Sequence, residues 1–332
     1  MIRDFGVPGV LKVENLPDLA AGLGEVVIDV EYASITFVET QARAGCAPNA
    51  AMASLPLVPG NGVGGWVAEV GEGVGQSLLG RAVVTTTGGR GGYAERVVVP
   101  GDLPIEIPDG VSIRDAVALL ADGRTALALA RVAAPKPGEV VLVEAAAGGV
   151  GTCLIQLMTA AGATVVAGVG SPRKMAVARG LGADTVVDYS LDGWEDEIRG
   201  ERGGLAVVFD GVGGEVGASA LALLRPGGRF CQYGMASGRF TDVATRRQDV
   251  HVLRGTALSP AESRELSIEA LRLAAAGKLI ATVGQEYPLE QAAAAHAAIE
   301  SRSTIGKTLL RVRAGASPGA LARANRTERS SA

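Results

Sequence analysis

The chain has 332 residues, 48% of them hydrophobic, which is enough for a large core and, by length, for two domains. Its formal net charge of -4 gives no general attraction to nucleic acid or to acidic membranes. The three cysteines, Cys46, Cys153 and Cys231, lie far apart, give no disulfide framework and suit a reducing compartment.

The N-terminus, MIRDFGVPG, turns polar at once, without the basic flank and apolar core of a secretory signal. Residues 1–110 read as strands: VVIDVEYASI and GRAVVTT cluster or alternate β-branched residues, and PGNGVGGWVAEVGEGVG sets glycine turns around a short strand. The proline-punctuated VPGDLPIEIPDGVS reads as a connector, and helical periodicity runs from an N-cap at Ser112 to about Val132. From Val140 strands and helices alternate. VVLVEA leads into a glycine corner, and a helix follows with Val150, Leu154, Leu157, Met158 and Ala161 at three- and four-residue spacing. TVVAGV is the next strand, Ser171-Pro172 starts a helix that stops near Gly180, and TVVDY, AVVFDGVG and GRFCQYG are further strands. This alternation predicts a parallel sheet covered by helices on both faces. A long helical stretch follows residue 258, and KTLLRV is a final strand; the tail after Val312 is assigned no function.

The chain carries no charge from Ala145 to Pro172, long enough to raise the question of a membrane span. Gly148, Gly149, Gly151 and Gly162 divide the run into strand, turn, helix and strand, so a soluble, cytoplasmic protein is expected. Without a Cβ, the backbone at glycines 148, 149 and 151 allows close approach of a ligand, and the start of the following helix favours an anion such as a pyrophosphate. Ala146 stands where the first glycine of G-x-G-x-x-G would be; a tight corner without a ligand is the alternative.

A fold binding NAD places Asp or Glu near the end of the second strand, about 20 residues on, for the ribose 2′-hydroxyl. Here that region is GVGSPRK, and no acid occurs from 145 to 183. Ser171, Arg173 and Lys174 would attract a 2′-phosphate, which predicts NADPH; a solvated helix face is the alternative for the two cations. Before residue 145 the single soft ligand is Cys46, and the two histidines, His251 and His296, lie in the second half. Zinc sites take three or four such ligands, so none is predicted.

EAAAGGVGTCLIQL, SPRKMAVARGLGADTVVDY, FDGVGG and LLRPGGRF, with PLVPGNGVGGWVAEVGEGV and GGYAERVVVP nearer the N-terminus, resemble the medium-chain dehydrogenase/reductase superfamily. The closest branch is that of the zinc-independent quinone oxidoreductases, relatives of zeta-crystallin, and the resemblance runs from about residue 1 to 312. It implies an α/β fold: a Rossmann-type doubly wound parallel sheet at 121–258 and a GroES-like, mainly β substrate domain at 1–120 completed by 259–312, with 313–332 as a tail. It implies that Lys174, Tyr189 and Arg302 hold the 2′-phosphate, with the Gly170–Ser171 backbone in the same pocket. Gly148, Gly149, Val150 and Gly151 would meet the pyrophosphate, and Val212, Gly234, Met235, Ala236, Ser237 and Leu253 would line the path to the nicotinamide, with Thr125 beside its end. Taken separately, Tyr189 is also readable as strand-end packing and Arg302 as a surface charge.

The zinc enzymes of the superfamily carry a Cys where Thr36 stands and His-Glu where Asn61-Gly62 stands. Close relatives have N-F-x-D-T; this chain reads Thr36-Phe37-Val38-Glu39-Thr40. Thr36 is therefore either a donor to the acceptor oxygen that gains charge as hydride arrives or an ordinary strand hydroxyl, and Asn61 either a substrate contact or a loop-shaping residue. Tyr93 reads as a core aromatic, and Asp122 with Arg124 as a pair. The resemblance implies NADPH-dependent reduction of a quinone or enone by a homodimer or homotetramer. Two other readings stand beside it. One is an enoyl-thioester reductase, suggested by Gly60-Asn61-Gly62; the other is a non-catalytic NADPH-binding or RNA-binding crystallin-like protein, for which the net charge of -4 speaks poorly.

Overall fold

A computed structural model describes residues 1–46, 54–199, 204–243, 247–254 and 257–312. The tail assigned to 313–332 lies outside them. The chain forms two compact units, Met1–Leu120 with the segment from Val283 on, and Ala121–Thr282.

The first unit is a seven-stranded sheet around β1 (Glu25–Ile35). β2 (Gly62–Val70), β4 (Arg96–Pro100) and β13 (Lys307–Arg311) all pair antiparallel with β1; β3 (Ala82–Thr86) and β5 (Ile105–Glu106) continue from β2, and β12 (Val283–Pro288) lies parallel to β13. Val26, Ile28 and Val30 alternate along β1 into a core with Val63, Val67, Val83 and Leu310, the period-two burial that β-branched residues favour. The α-helices α1 (Phe37–Arg43) and α8 (Ala292–Glu300) belong here, and α2 (Ile113–Ala133) carries the chain into the second unit.

The second unit is a six-stranded sheet in the order β11-β10-β9-β6-β7-β8, with every neighbouring pair parallel. Its strands are β6 (Val140–Val143), β7 (Thr164–Val169), β8 (Thr185–Asp188), β9 (Leu205–Asp210), β10 (Leu224–Gln232) and β11 (His251–Leu253). Helices α3 (Gly149–Ala160), α4 (Pro172–Gly180), α5 (Asp196–Arg199), α6 (Gly214–Ala222) and α7 (Pro260–Ala275) complete it. All four residues of β6 and all six of β9 are buried, as strands covered on both faces must be. Strand order reverses between β6 and β9, and ligands of such sheets bind outside the carboxyl ends at that crevice.

Three differences from the sequence reading have physical causes. α7 belongs to the second unit rather than to 259–312 as a completion of the first: it buries Leu266, Ala270 and Leu271, and Arg131 of α2 pairs with its Glu265 and Glu269. β11 and β12 carry too few apolar residues to be read as strands, and both are edge strands held by one partner. Thr36 is not a strand residue. It is the N-cap of α1, in a Thr-x-x-Glu sequence typical of helix starts. Among the described residues no helix is long and apolar enough to cross a membrane.

Candidate active site

In the second unit the glycine corner begins at Ala145, held at a left-handed φ of 46°. Gly148 N–H donates to the Ala145 carbonyl (2.8 Å), and Ala146 N–H donates to the Gly168 carbonyl (3.0 Å), fastening the corner to β7. A Cβ on Gly151 would stand 2.4 Å from the Ala145 carbonyl oxygen, and one on Gly149 would stand 1.9 Å from Asp122 Oδ2. The Gly151 position has no room for a side chain, and one at Gly149 would displace the Asp122 carboxylate. Gly148 is the N-cap of α3, and the first turn, Val150 included, carries no acid. The orphan N–H groups of a helix start are thus available to an anion. Burial lowers the Arg124 guanidinium, opposed by the Asp122 charge, and the Asp122 carboxylate packs against Gly149. Thr125 lies half-buried three residues further along α2.

At the end of β7, Gly170 precedes Ser171, the extended N-cap of α4, and that helix also has no acid in its first turn. The Tyr189 ring lies over this turn: a Cβ on Gly168 or Gly170 would meet it at 3.2 and 3.0 Å. Tyr189 N–H donates to the Val169 carbonyl (2.9 Å), and Lys174 sits in the first turn of α4, its N–H on the Ser171 carbonyl (3.1 Å). The structure therefore brings Gly170, Ser171, Lys174 and Tyr189 to one corner. Arg302 belongs to the first unit, where its guanidinium lies 4.4 Å from the centroid of the Phe37 ring.

The turn after β9 is zipped to the segment after β10. Gly234 N–H donates to the Asp210 carbonyl, Ala236 N–H to that of Gly211 and Ser237 N–H to that of Val212, while Gly238 N–H folds back onto Met235. Gly213 has a φ of 72°, and a Cβ there would meet the Arg239 carbonyl oxygen at 2.0 Å. Leu253, half-buried, stands opposite Cys231 in the β10–β11 register.

In the first unit, Thr36 and Asn61 meet through a residue the sequence reading passed over. Glu39, buried, accepts from Thr36 N–H (2.5 Å), the Thr36 hydroxyl (3.1 Å) and Asn61 N–H (2.7 Å). The hydroxyl proton of Thr36 is thus committed to Glu39. Asn61 Oδ1 accepts from Gly89 N–H (2.9 Å), which fixes the amide with its NH₂ turned away from that loop. Burial pushes the Glu39 carboxyl up, against the Thr36 and Asn61 donors and the nearby Lys307. Tyr93 is indeed buried, and its hydroxyl lies 3.0 Å from His296 Nε2. Burial, with Glu39 beside it, holds the phenol well above its ordinary value. Burial and then the Arg43 charge hold the His296 imidazole down to about 3, so the ring is neutral. The signal for Glu39 was present in the sequence as the acid closing the Thr-x-x-Glu cap. Among the described residues no group of three or more His, Cys, Asp or Glu is placed to hold a metal ion.

A doubly wound parallel sheet with a glycine corner at its switch point, joined to a β unit closed by the C-terminal strand, defines a nucleotide-dependent dehydrogenase architecture. The comparisons agree. The model of the alcohol dehydrogenase GroES-like domain matches residues 22–109, and that of the zinc-binding dehydrogenases matches 181–310. A quinone oxidoreductase of Pseudomonas aeruginosa is 30% identical over 92% of this chain and 97% of its own length. A 2-haloacrylate reductase of a Burkholderia species is 30% identical over 93% of this chain and 97% of its own. The crystal structure of Escherichia coli quinone oxidoreductase complexed with NADPH aligns at a TM-score of 0.85 and 30% identity, covering 94% of this chain and 98% of that one. The chain belongs to the zinc-independent quinone oxidoreductase branch of the medium-chain dehydrogenase/reductases, a family of oxidoreductases.

Proposed function

We propose that the protein reduces a quinone or an α,β-unsaturated carbonyl compound with NADPH. The carrying observation is a pair of helix starts without acid: the corner before α3, where Gly151 has no room for a side chain, and the corner where β7 meets α4, where Ser171, Lys174 and Tyr189 converge on one turn. That donor set suits a dinucleotide bearing a 2′-phosphate. Gly148, Gly149, Val150 and Gly151 would hold the pyrophosphate, Gly170, Ser171, Lys174 and Tyr189 the 2′-phosphate, and Thr125, Val212, Gly234, Met235, Ala236, Ser237 and Leu253 the nicotinamide end. Arg302, stacked over Phe37, is left out of that set. Bound there, NADPH supplies the hydride.

The chain's own residues provide for the acceptor. Asn61 keeps an amide NH₂ on the side opposite Gly89, and we assign it the hydrogen bond to the oxygen that gains charge. Thr36 and Glu39 act by holding Asn61 through its backbone. The relatives named as quinone and 2-haloacrylate reductases support both acceptor types. The test is oxidation of NADPH and of NADH with quinones, 2-alkenals, cyclic enones and enoyl thioesters. NADPH consumption by a quinone or enone is expected; binding without turnover on any of them defeats the proposal. A cytoplasmic homodimer or homotetramer is part of the same reading, and light scattering giving the mass of one chain would count against it.

A further inference from the structure

Where the two central strands of the parallel sheet end, two carboxyls meet. Glu144 directly follows β6, Asp210 is the last residue of β9, and the register places Val143 beside Phe209. Both side chains have no exposed surface. Their surroundings differ sharply. Asp210 Oδ1 accepts from Val212 N–H (3.1 Å) and Gly213 N–H (2.6 Å), and its Oδ2 accepts from the Thr241 hydroxyl (2.7 Å). Among the described residues, Glu144 Oε2 receives a long share of the same Val212 N–H (3.3 Å), and its Oε1 is buried with no partner. One backbone donor therefore faces an oxygen of each carboxyl.

Two ionised carboxylates cannot share one N–H donor in a dry interior, because desolvation and mutual repulsion both oppose the second charge. The better hydrogen-bonded partner is Asp210, which accepts from Val212 N–H, Gly213 N–H and the Thr241 hydroxyl, so the proton belongs to Glu144. The neighbouring groups provide no other relief. Tyr233, next along the chain from β10, directs its hydroxyl to the Glu144 carbonyl oxygen (2.8 Å), so its proton is already used. Around Tyr233 stand Asp122 of α2 and Tyr189 at the end of β8, neither of them basic. Burial, and then the Asp210 charge, hold the Glu144 carboxyl well above the ordinary range.

We propose that Glu144 is a positioning residue that enters the folded state as a neutral acid, shares its proton with Asp210, and so holds the Val212–Gly213 turn in place. Val212 belongs to the nicotinamide end in the function proposed above, and the expected effect on NADPH rests on that reading. Ionisation of Glu144 sets two charges against one amide and opens the turn. The binding-competent fraction then falls about tenfold for each pH unit above the titration, and the apparent Kd rises by the same factor.

Four measurements test this. The infrared spectrum of the wild-type apoprotein near neutral pH should contain a protonated-carboxyl band that Glu144→Gln removes. The thermal midpoint of the wild-type apoprotein should fall more steeply than that of Glu144→Gln as pH rises from about 7 to 9, an interval above the ordinary imidazole value, because a carboxyl raised in the folded state contributes most at low pH and that contribution is lost as pH rises. The NADPH Kd of the wild type should weaken with alkaline pH, that of Glu144→Gln should not, and Glu144→Leu should weaken NADPH at every pH. A missing band, or Glu144→Gln following the wild-type pH dependence, overturns the proposal. If Glu144→Gln does not fold, isotope labelling of the glutamate carboxyls in the wild type reads the same band, and its absence is equally decisive. Should NADPH fail to bind at any pH, the proposed function falls, while the infrared and apoprotein melting results still decide the shared proton.

Discussion

The glycine corner of the second unit and the Glu39 network of the first solve the same task, holding a polar group in a fixed place, by opposite means. The corner is built from backbone: Gly151 has no room for a Cβ against the Ala145 carbonyl, and Ala146 spends its N–H on Gly168. The network is built from side chains, with Glu39 gathering Thr36 and Asn61 while Tyr93 leans on His296. A backbone device is sensitive to volume and indifferent to pH. A buried side-chain network is the reverse, because each member must stay in one protonation state.

The largest expected effect is acid loss through the network. His296 is held down to about 3 in the folded state, against an ordinary value of 6.5, so its contribution is present above 6.5 and lost as pH falls toward 3. The slope is about 1.4 kcal/mol per pH unit while one extra proton is taken up on unfolding. Urea titrations between about pH 7 and 5 should show it, and His296→Gln, which does not titrate, should reduce it by one proton. An unchanged slope in that variant would erase the contrast.

Next comes the corner. Gly151→Ala places a methyl against backbone that cannot move away, and we expect a loss of about 1–3 kcal/mol in stability, the same at pH 5 and 7, measured by denaturant unfolding. At the neighbouring corner where β7 meets α4, Lys174→Ala should weaken NADPH by about 10- to 100-fold, as one charge-assisted hydrogen bond would, with NADH nearly unaffected. Equal losses for both cofactors would remove the 2′-phosphate from the assignment. The smallest effect separates two neighbours. Asn61→Ala should lower kcat at least tenfold as the lost donor to the acceptor, whereas Thr36→Val, losing one neutral bond to Glu39, should cost about two- to tenfold. The reverse order in steady-state kinetics would return the donor role to Thr36.

The corner is legible in sequence because everything it needs is local: three glycines between a strand and a helix, a long stretch without acid, and a lysine in the first turn of the next helix. Tyr189 joins by following the strand beside it. The network is not legible in this way. Asn61 reaches Glu39 across 22 residues and Tyr93 reaches His296 across 203, distances at which no spacing rule operates. Thr36 is an intermediate case. Family position marks it as a candidate donor, but its T-F-V-E sequence also spells a helix cap, and in the structure the cap takes the hydroxyl. Glu144 could have been noticed as an acid closing an otherwise apolar run, VVLVE, a conflict with local pattern of the kind that marks functional positions.

The pairing of β13 with β1 also dictates an order of assembly during synthesis. On the side away from β2, residues Tyr32 to Ile35 find their partners only at Thr308 to Arg311, after the whole of Ala121–Thr282 has left the ribosome. At roughly 5–20 residues per second, β1 waits on the order of tens of seconds for its neighbour, while the second unit is contiguous and has no such delay. Nascent chains arrested before β12 emerges should therefore already protect the second unit from protease while still being cut within the first. Equal protection of both would show that β1, β2 and β4 stand without the closing strand, and that the first unit is complete before its last piece is made.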